Sequence, residues 1–198
     1  MPSWVIILGL LLIAGWWFAS TYNSLITSKG MTEKSWAQVE AEYQRRADLI
    51  PNLISTVKGA ADFEQSTLTE VTEARTQWMQ TADSPDATLE EQMAATQNFD
   101  SALSRLLVTV ESYPTLTATE GFQIFQAQLE GTENRVTVAR MDFNTAATAY
   151  NIKVQRFPTK IVASLFGFDP TPLFEAEAGS QEVPEVDFNF GDPEAVTQ

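Results

Sequence analysis

The first 28 residues carry no charged side chain, and this feature constrains the fold more than any other. Trp4–Tyr22 is 19 residues long, or roughly 28 Å as a helix, which nearly matches a hydrocarbon core of about 30 Å. Aromatic residues mark both ends, as at two membrane interfaces: Trp4 at one end, and Trp16, Trp17 and Tyr22 toward the other. The sequence therefore predicts a transmembrane anchor with its juxtamembrane segment over residues 1–28, and the lipid bilayer as a partner.

A cleaved signal peptide is the alternative interpretation of this stretch. It would need a basic region before the apolar one and small residues at a cleavage site. The bulky Trp16-Trp17-Phe18 cluster argues against such a site, and no basic side chain precedes it. We therefore expect a retained, single-pass anchor. Lys29 and Lys34 follow the apolar stretch, so the positive-inside rule favours an N-terminus outside and a main domain in the cytoplasm.

Residues 29–168 are predicted to form a helical domain, because apolar side chains recur at steps of three and four. The first helix is expected over 32–82, with a kink near Ala47–Pro51, since proline removes one helical hydrogen bond. Gly59 is a second possible weak point. Thr88-Leu-Glu-Glu91 has the spacing of a capping box, which predicts that a second helix begins at Thr88 and ends near Tyr113-Pro114.

The third helix gives the clearest periodicity. A capping box is predicted at Thr117-Ala-Thr-Glu120, and the helix is expected to reach Phe157. Its buried stripe is heptad-like, as in a coiled coil: Phe122, Phe125, Leu129, Thr132, Val136, Ala139, Phe143, Ala146 and Tyr150. The predicted fold class is all-α: an N-terminal transmembrane helix, then an elongated antiparallel helical bundle of three long helices plus a short fourth.

The short fourth helix is predicted in the apolar stretch at 161–168. It could cap the bundle, which we favour, lie on the membrane, or contact a neighbouring protein through Phe166 and Phe168. Residues 169–198 hold four of the nine prolines and eight acids without a base, which is typical of a solvated acidic tail. Val183–Phe190 alternates apolar and polar residues, so Val186 and Phe188 could instead bind a partner as an added strand.

Composition excludes several function classes. The chain has no Cys and no His, so a Ser-His-Asp triad, a Cys nucleophile and Cys/His zinc sites are excluded. A formal charge of −14 argues against nucleic-acid binding, which needs a basic face. Glu130 and Glu133 share a helix face, but a bundle di-iron site also needs Glu-x-x-His. We expect no cofactor, no metal and no enzymatic activity.

Two interpretations of the charges near Pro51 remain open. Arg46 and Asp48 could form an ion-pair network with charges on the third helix, and removing one partner of such a network strands the other. The third-helix candidates are Glu130, Glu133, Arg135 and Arg140. In the second interpretation the proline kink frees a carbonyl and opens a binding notch, lined by Arg45, Arg46, Asp48 and Asn52.

Several segments, taken in order, resemble the LemA family. The most characteristic stretch is Arg45-Arg-Ala-Asp-Leu-Ile-Pro-Asn-Leu53. The others are Tyr22-Asn23, Trp36–Val39, Val57-Lys-Gly59, Tyr113-Pro114, Leu129–Arg135, Ala139-Arg140, Tyr150-Asn151, Phe157-Pro158, Leu165–Phe168 and Val186-Asp-Phe188. Met141-Asp-Phe143 departs from the family pattern, and the acidic extension beyond Phe188 is an addition to it.

The resemblance implies a bacterial membrane protein with one N-terminal span, in the cell (inner) membrane, and a helical-bundle domain. It supplies no catalytic residues; some members are associated with membrane organisation, such as magnetosome biogenesis. Two hypotheses follow. The chain is a self-associating scaffold, aided by the small residues Gly15 and Ala19 in the span, or it is a tethered module that captures another membrane or peripheral protein through the kink region or the tail.

Overall fold

Every regular element in the computed structural model is an α-helix within the residues it describes, 3–57 and 64–175. Six helices follow one another there: α1 (Ser3–Val57), α2 (Gln65–Ala82), α3 (Leu89–Val110), α4 (Pro114–Thr117), α5 (Glu120–Gln155) and α6 (Thr159–Phe166). The all-α prediction is confirmed.

Helix α1 joins the apolar N-terminal stretch to the bundle without a break. It contains 55 residues and continues through Pro51. Its most apolar 18-residue window has a mean hydropathy of 1.9, and none of that window is buried within the molecule. The helix is therefore long and apolar enough to cross a bilayer, and this part of it is not a core helix of the bundle. From Leu25 onward the same helix buries a regular stripe of side chains.

Helices α1 and α5 pack antiparallel along the length of the bundle. Three contacts show the direction: Lys153 with Ser28, Phe143 with Trp36, whose ring centroids are 5.3 Å apart, and Glu133 with Arg46. Residue numbers rise on α1 as they fall on α5, so the C-terminal end of α5 lies beside the anchor. The main core runs between α1, α2, α3 and α5.

The prediction of one helix over 32–82 is wrong, because α2 folds back against α1. The ring centroids of Tyr43 and Trp78 lie 6.0 Å apart, whereas one continuous helix would separate these residues by about 52 Å. Trp78 also stacks on Phe99 of α3 at 6.3 Å. The reversal lets Trp78 become buried between α1 and α3. Gly59 lies outside the described residues.

Helix starts and the α5 stripe follow the predictions in part. Thr88 is the N-cap of α3 in a reciprocal capping box with Glu91, as predicted. Helix α5 instead begins after Thr119, whose hydroxyl accepts from the Phe122 N–H. Thr117 does not cap it, because Pro114–Thr117 forms the separate turn α4. Helix α5 ends at Gln155 rather than Phe157 and buries Ala147 rather than Ala146.

The first residues of the predicted acidic tail are bound to the bundle. After α6 the chain runs without regular structure over 169–175, here called the strap. The side-chain amide of Asn151 exchanges two hydrogen bonds with the Thr171 backbone, at 2.7 and 2.8 Å. Asn144 does the same with Phe174, both at 2.9 Å. Asn144 and Asn151 are seven helical residues apart, or about 10 Å, which matches three extended residues. Residues 176–198, with Val186 and Phe188, lie outside the described residues.

Candidate functional site

A cluster of charged side chains links three helices at the middle of the bundle. Asp100 of α3 accepts hydrogen bonds from Arg46 of α1, Arg140 of α5 and the Tyr43 hydroxyl, the last at 2.6 Å. Arg46 also pairs with Glu133 of α5, and Arg140 donates to the Tyr43 oxygen. We call these five residues the charge cluster. It confirms an ion-pair network across antiparallel helices for Arg46, Glu133 and Arg140.

Burial makes the charges in the cluster depend on one another and shifts the pKa values of two of its groups. Arg46 is only 1% exposed, so its charge depends on the two carboxylates that it contacts. Burial raises the pKa of the Asp100 carboxyl, and the Arg46 and Arg140 guanidiniums oppose that shift. Burial, together with the nearby Asp100 charge, raises the pKa of Tyr43 well above its ordinary value. Tyr43 therefore remains a protonated donor to Asp100 at any physiological pH.

A groove of about 410 Å³ opens beside the charge cluster, between α3 and α5. Helix α1 packs most extensively on α5, and α2 on α3, whereas α3 and α5 are joined by the ion pair between Asp100 and Arg140. The floor carries Arg46, Asp100 and Arg140. The remaining lining combines apolar walls with acidic edges: Leu103, Leu107, Val110, Phe122 and Leu129, with Glu111, Glu130 and Glu133. Such a lining suits an amphipathic ligand with an apolar face.

The carbonyl freed by Pro51 is already occupied by another part of the chain. Proline at position 51 cannot donate to the carbonyl of Ala47, four residues earlier. Arg75 of α2 donates its Nε–H to that oxygen at 2.8 Å. The Arg75 side chain thus replaces the missing helical hydrogen bond and connects α2 to α1 at this point.

The four residues predicted to line a notch here do not share one surface. Arg46 is buried in the charge cluster, whereas Arg45, Asp48 and Asn52 lie together on an exposed face of α1. Arg45 pairs with Glu42 at 3.5 Å, and Asp48 accepts from Gln44 at 2.9 Å. Asp48 forms no part of the charge cluster. A shared ligand site for these four side chains is therefore not formed by the described residues.

Helix α6 packs beside the end of the anchor. The Phe166 ring lies 5.8 Å from Phe18 and 4.7 Å from Tyr22, and Phe168 lies 5.7 Å from Tyr22. A second small core joins α6 to both long helices: Leu25, Tyr150, Val154, Val162, Ala163 and Phe168. Helix α6 therefore caps the bundle, as favoured above, at the end that carries the anchor.

Comparison with known families agrees with this architecture. The family model described as LemA family matches residues 35–188, which is most of the chain.

The chain belongs to the LemA family.

Named relatives of this LemA-family chain are bacterial. Magnetosome protein MamQ 2 of Paramagnetospirillum magneticum is 26% identical over 175 residues, covering 78% of this chain and 64% of the relative. Magnetosome protein MamQ of Magnetospirillum gryphiswaldense is 24% identical, covering 82% and 68%. Protein LemA of Metamycoplasma hominis is 22% identical, covering 83% and 72%. The chain thus spans about 64% of the length of the first of these relatives.

Three of the segments that carry the LemA resemblance lie where helices contact one another or contact the strap. Ala139-Arg140 contributes Arg140 to the charge cluster. In Tyr150-Asn151, the tyrosine ring is buried and the asparagine side chain hydrogen-bonds to the strap. Leu165–Phe168 contains Gly167, which is the C-cap of α6. Its φ of +69° lies in the left-handed region, which favours glycine at the end of a helix. These segments therefore hold the helices, strap and anchor in register.

Sequence reasoning missed three residues of this architecture: Asp100, Arg75 and Asn144. Asp100 had a detectable signal, because an acid beside Phe99 and three positions before Leu103 lies at the edge of a buried stripe. Asn144 lies seven positions before Asn151, which places both on the same face of α5. Arg75 gave no signal, since its partner is a backbone carbonyl on another helix.

Proposed function

We propose that this protein is a single-pass protein of the bacterial inner membrane whose helical bundle acts as a non-enzymatic, self-associating scaffold that organises partners at the bilayer. The observation that carries the proposal is the continuity of α1. One helix contains the exposed apolar stretch and the buried stripe of the bundle, so the bundle is held at the membrane without a flexible linker.

The relatives support a structural role. Their printed names, magnetosome proteins and LemA, describe no enzyme. The resemblance to a family with members associated with membrane organisation supports a role for this chain in arranging a membrane. Concentration of many copies on one surface makes weak lateral contacts effective, and Gly15 and Ala19 allow close helix approach within lipid.

The distribution of basic side chains supports a cytoplasmic bundle. Antiparallel packing of α1 and α5 brings two distant segments to the anchor end of the bundle. Together they hold five of the 12 basic residues: Lys29, Lys34, Lys153, Arg156 and Lys160. Lys and Arg are retained on the cytoplasmic side of a span, so the N-terminus is proposed to be outside.

Size measurement of the full-length protein in detergent tests the scaffold. We expect a defined assembly of several copies by light scattering and electron microscopy, retained after dilution. Gly15→Leu and Ala19→Leu together should reduce its size, whereas Gly9→Leu, a glycine outside this pair in the same stretch, should not. A strictly monomeric protein in detergent and in nanodiscs would contradict self-association.

The groove between α3 and α5 favours a second candidate, a tethered binding module. Its apolar walls and acidic edges fit an amphipathic helix with basic residues on its flanks. Ser104 lines the groove, so Ser104→Phe should obstruct it, while Val108→Phe changes a position that is 67% exposed on the same helix. Cross-linked partners in native membranes that are lost with Ser104→Phe alone would support the module.

A further inference from the structure

Helix α6 exposes apolar side chains on the face opposite its packed one. Val162 and Ala163 are buried against the small core at the anchor end. Ile161 and Leu165, one helical turn apart, are 57% and 68% exposed, and Phe157 just before the helix is 77% exposed. A short helix that is apolar on both faces needs a second surface to cover it.

The position of this face identifies the surface. Phe166 contacts both Phe18 and Tyr22, and Tyr22 ends the apolar stretch. Trp16 and Trp17, in the adjoining turn of α1, are 74% and 37% exposed. The outer face of α6 therefore continues the lipid-facing surface of the anchor at the depth of the headgroups, where aromatic residues are enriched.

Basic residues surround this face although the chain as a whole is acidic. Arg156 and Lys160 are exposed around the turn between α5 and α6, and Lys153 reaches Ser28 on α1. Two acids are also at this end: Glu33, which pairs with Lys29 at 3.9 Å, and Asp169. Apolar side chains flanked by Lys and Arg are typical of helices that lie in the interface of anionic membranes.

We propose that α6 is an interfacial element that binds an anionic phospholipid surface. Phe157, Ile161 and Leu165 enter the boundary between headgroups and acyl chains, and Arg156 and Lys160 contact lipid phosphates. The proposal rests on the membrane anchoring proposed above. It adds a second point of contact, which fixes the rotation of the bundle about the anchor.

The absence of cysteine allows the test to use single labelled positions in the full-length chain. Ile161→Cys carries an environment-sensitive fluorophore, and Val138→Cys is the matched control, because both side chains are 57% exposed. Leu11→Cys reports on the anchor. Each protein is placed in nanodiscs of phosphatidylcholine with phosphatidylglycerol, with and without lipids that bear a nitroxide near the headgroup, for positions 161 and 138, or in the middle of the acyl chain, for position 11.

We expect the label at 161 to be blue-shifted and strongly quenched by the nitroxide lipid, and the label at 138 to be neither. In the Ile161→Cys background, Arg156→Glu with Lys160→Glu should weaken the quenching in anionic nanodiscs and leave it unchanged in pure phosphatidylcholine. Unchanged quenching in both lipids would overturn the role of these two residues as headgroup ligands.

Failure of this inference is distinguishable from failure of the anchor. A quenched label at 11 with an unquenched one at 161 overturns the inference and leaves the anchor in place. An unquenched label at 11 overturns both. A second copy on this face would protect the label at 161 from aqueous iodide in detergent, and the protection would increase with protein concentration. That result, together with no quenching by the nitroxide lipid, overturns the lipid assignment.

Discussion

Asp100 is the residue on which the charge cluster depends. Arg46 is almost wholly buried, and Asp100 is the more buried of its two carboxylate partners, so removing the Asp100 charge leaves the guanidinium poorly compensated. We expect Asp100→Asn to lower the free energy of unfolding by about 3–5 kcal/mol. Glu133→Gln should cost less than about 1 kcal/mol of unfolding free energy, because Glu133 is 60% exposed. Denaturant unfolding in detergent, followed by far-UV circular dichroism, measures both.

Arg75 and Pro51 form a compensating pair. Arg75→Met leaves the Ala47 carbonyl without a donor and should cost about 1–3 kcal/mol of unfolding free energy. In a Pro51→Ala background the cost should be smaller, since the new backbone N–H can donate to the same carbonyl. A double-mutant cycle measures this coupling. Equal costs in both backgrounds would show that Arg75 stabilises the bundle by packing alone.

Tyr43 should titrate later than an exposed tyrosine. Its pKa is raised by burial and by Asp100, so the folded value lies above the unfolded value of about 10. The stability that Tyr43 contributes is therefore fully present below about pH 10 and is lost as the pH rises through the folded pKa. Burial also raises the pKa of Tyr150, so alkaline absorbance titration should show two late phenols in the wild type and one in Tyr43→Phe. An equal number of late phenols in the two proteins would contradict a buried Tyr43 hydroxyl.

At the scale of elements, the strap depends on two asparagines. Asn144 and Asn151 each pair with one backbone N–H and one C=O. Replacing both with Leu removes four hydrogen bonds and should therefore increase hydrogen exchange over 169–175. It should also weaken the packing of Phe174 on Trp36, whose ring centroids lie 5.9 Å apart. Asn98→Leu, on the exposed face of α3, is the control. Unchanged exchange would show that ring packing alone holds the strap.

Periodicity in the sequence predicted the helices better than their connections. The stripe on α5 was evident because steps of three and four identify one buried face without knowledge of the partner. The same steps run through 32–82, yet they cannot show whether the chain continues straight or reverses. The chain reverses because Trp78 is buried between α1 and α3. Thr88 was recognisable as a cap from local spacing. Thr117 was misassigned because Pro114 starts a separate turn.

The candidate site was predictable where it uses charges on a buried stripe. Arg46, Glu133 and Arg140 were expected to pair across helices, and the structure confirms this. The carbonyl freed by Pro51, on which the predicted notch depended, is bound by Arg75 of α2, whose position no local pattern reveals. The strap was hidden by its composition, since proline and acids suggest solvent exposure while Asn144 and Asn151 supply its backbone partners.

At the scale of the whole molecule, the anchor and bundle should be locked in rotational register. Helix α6 touches Phe18 and Tyr22, which precede Asn23 in α1, and shares a core with Leu25, which follows it. One alanine inserted after Asn23 rotates these two parts by about 100°, so both contacts cannot be kept. We expect faster tryptic cleavage at Lys160 in the folded protein. One alanine inserted in the loop at 83–86 should leave this cleavage unchanged.

With its apolar stretch in a bilayer, as proposed above, the unbroken helix α1 would act as a lever with its fulcrum in lipid. The helix is about 82 Å long, of which about 52 Å extends beyond Tyr22. A tilt change of about 10° in the bilayer, of the kind that hydrophobic mismatch produces, swings the far tip of the bundle sideways by about 9 Å. In the proposed membrane-spanning arrangement, a change in membrane thickness would thereby displace the distal end of the bundle.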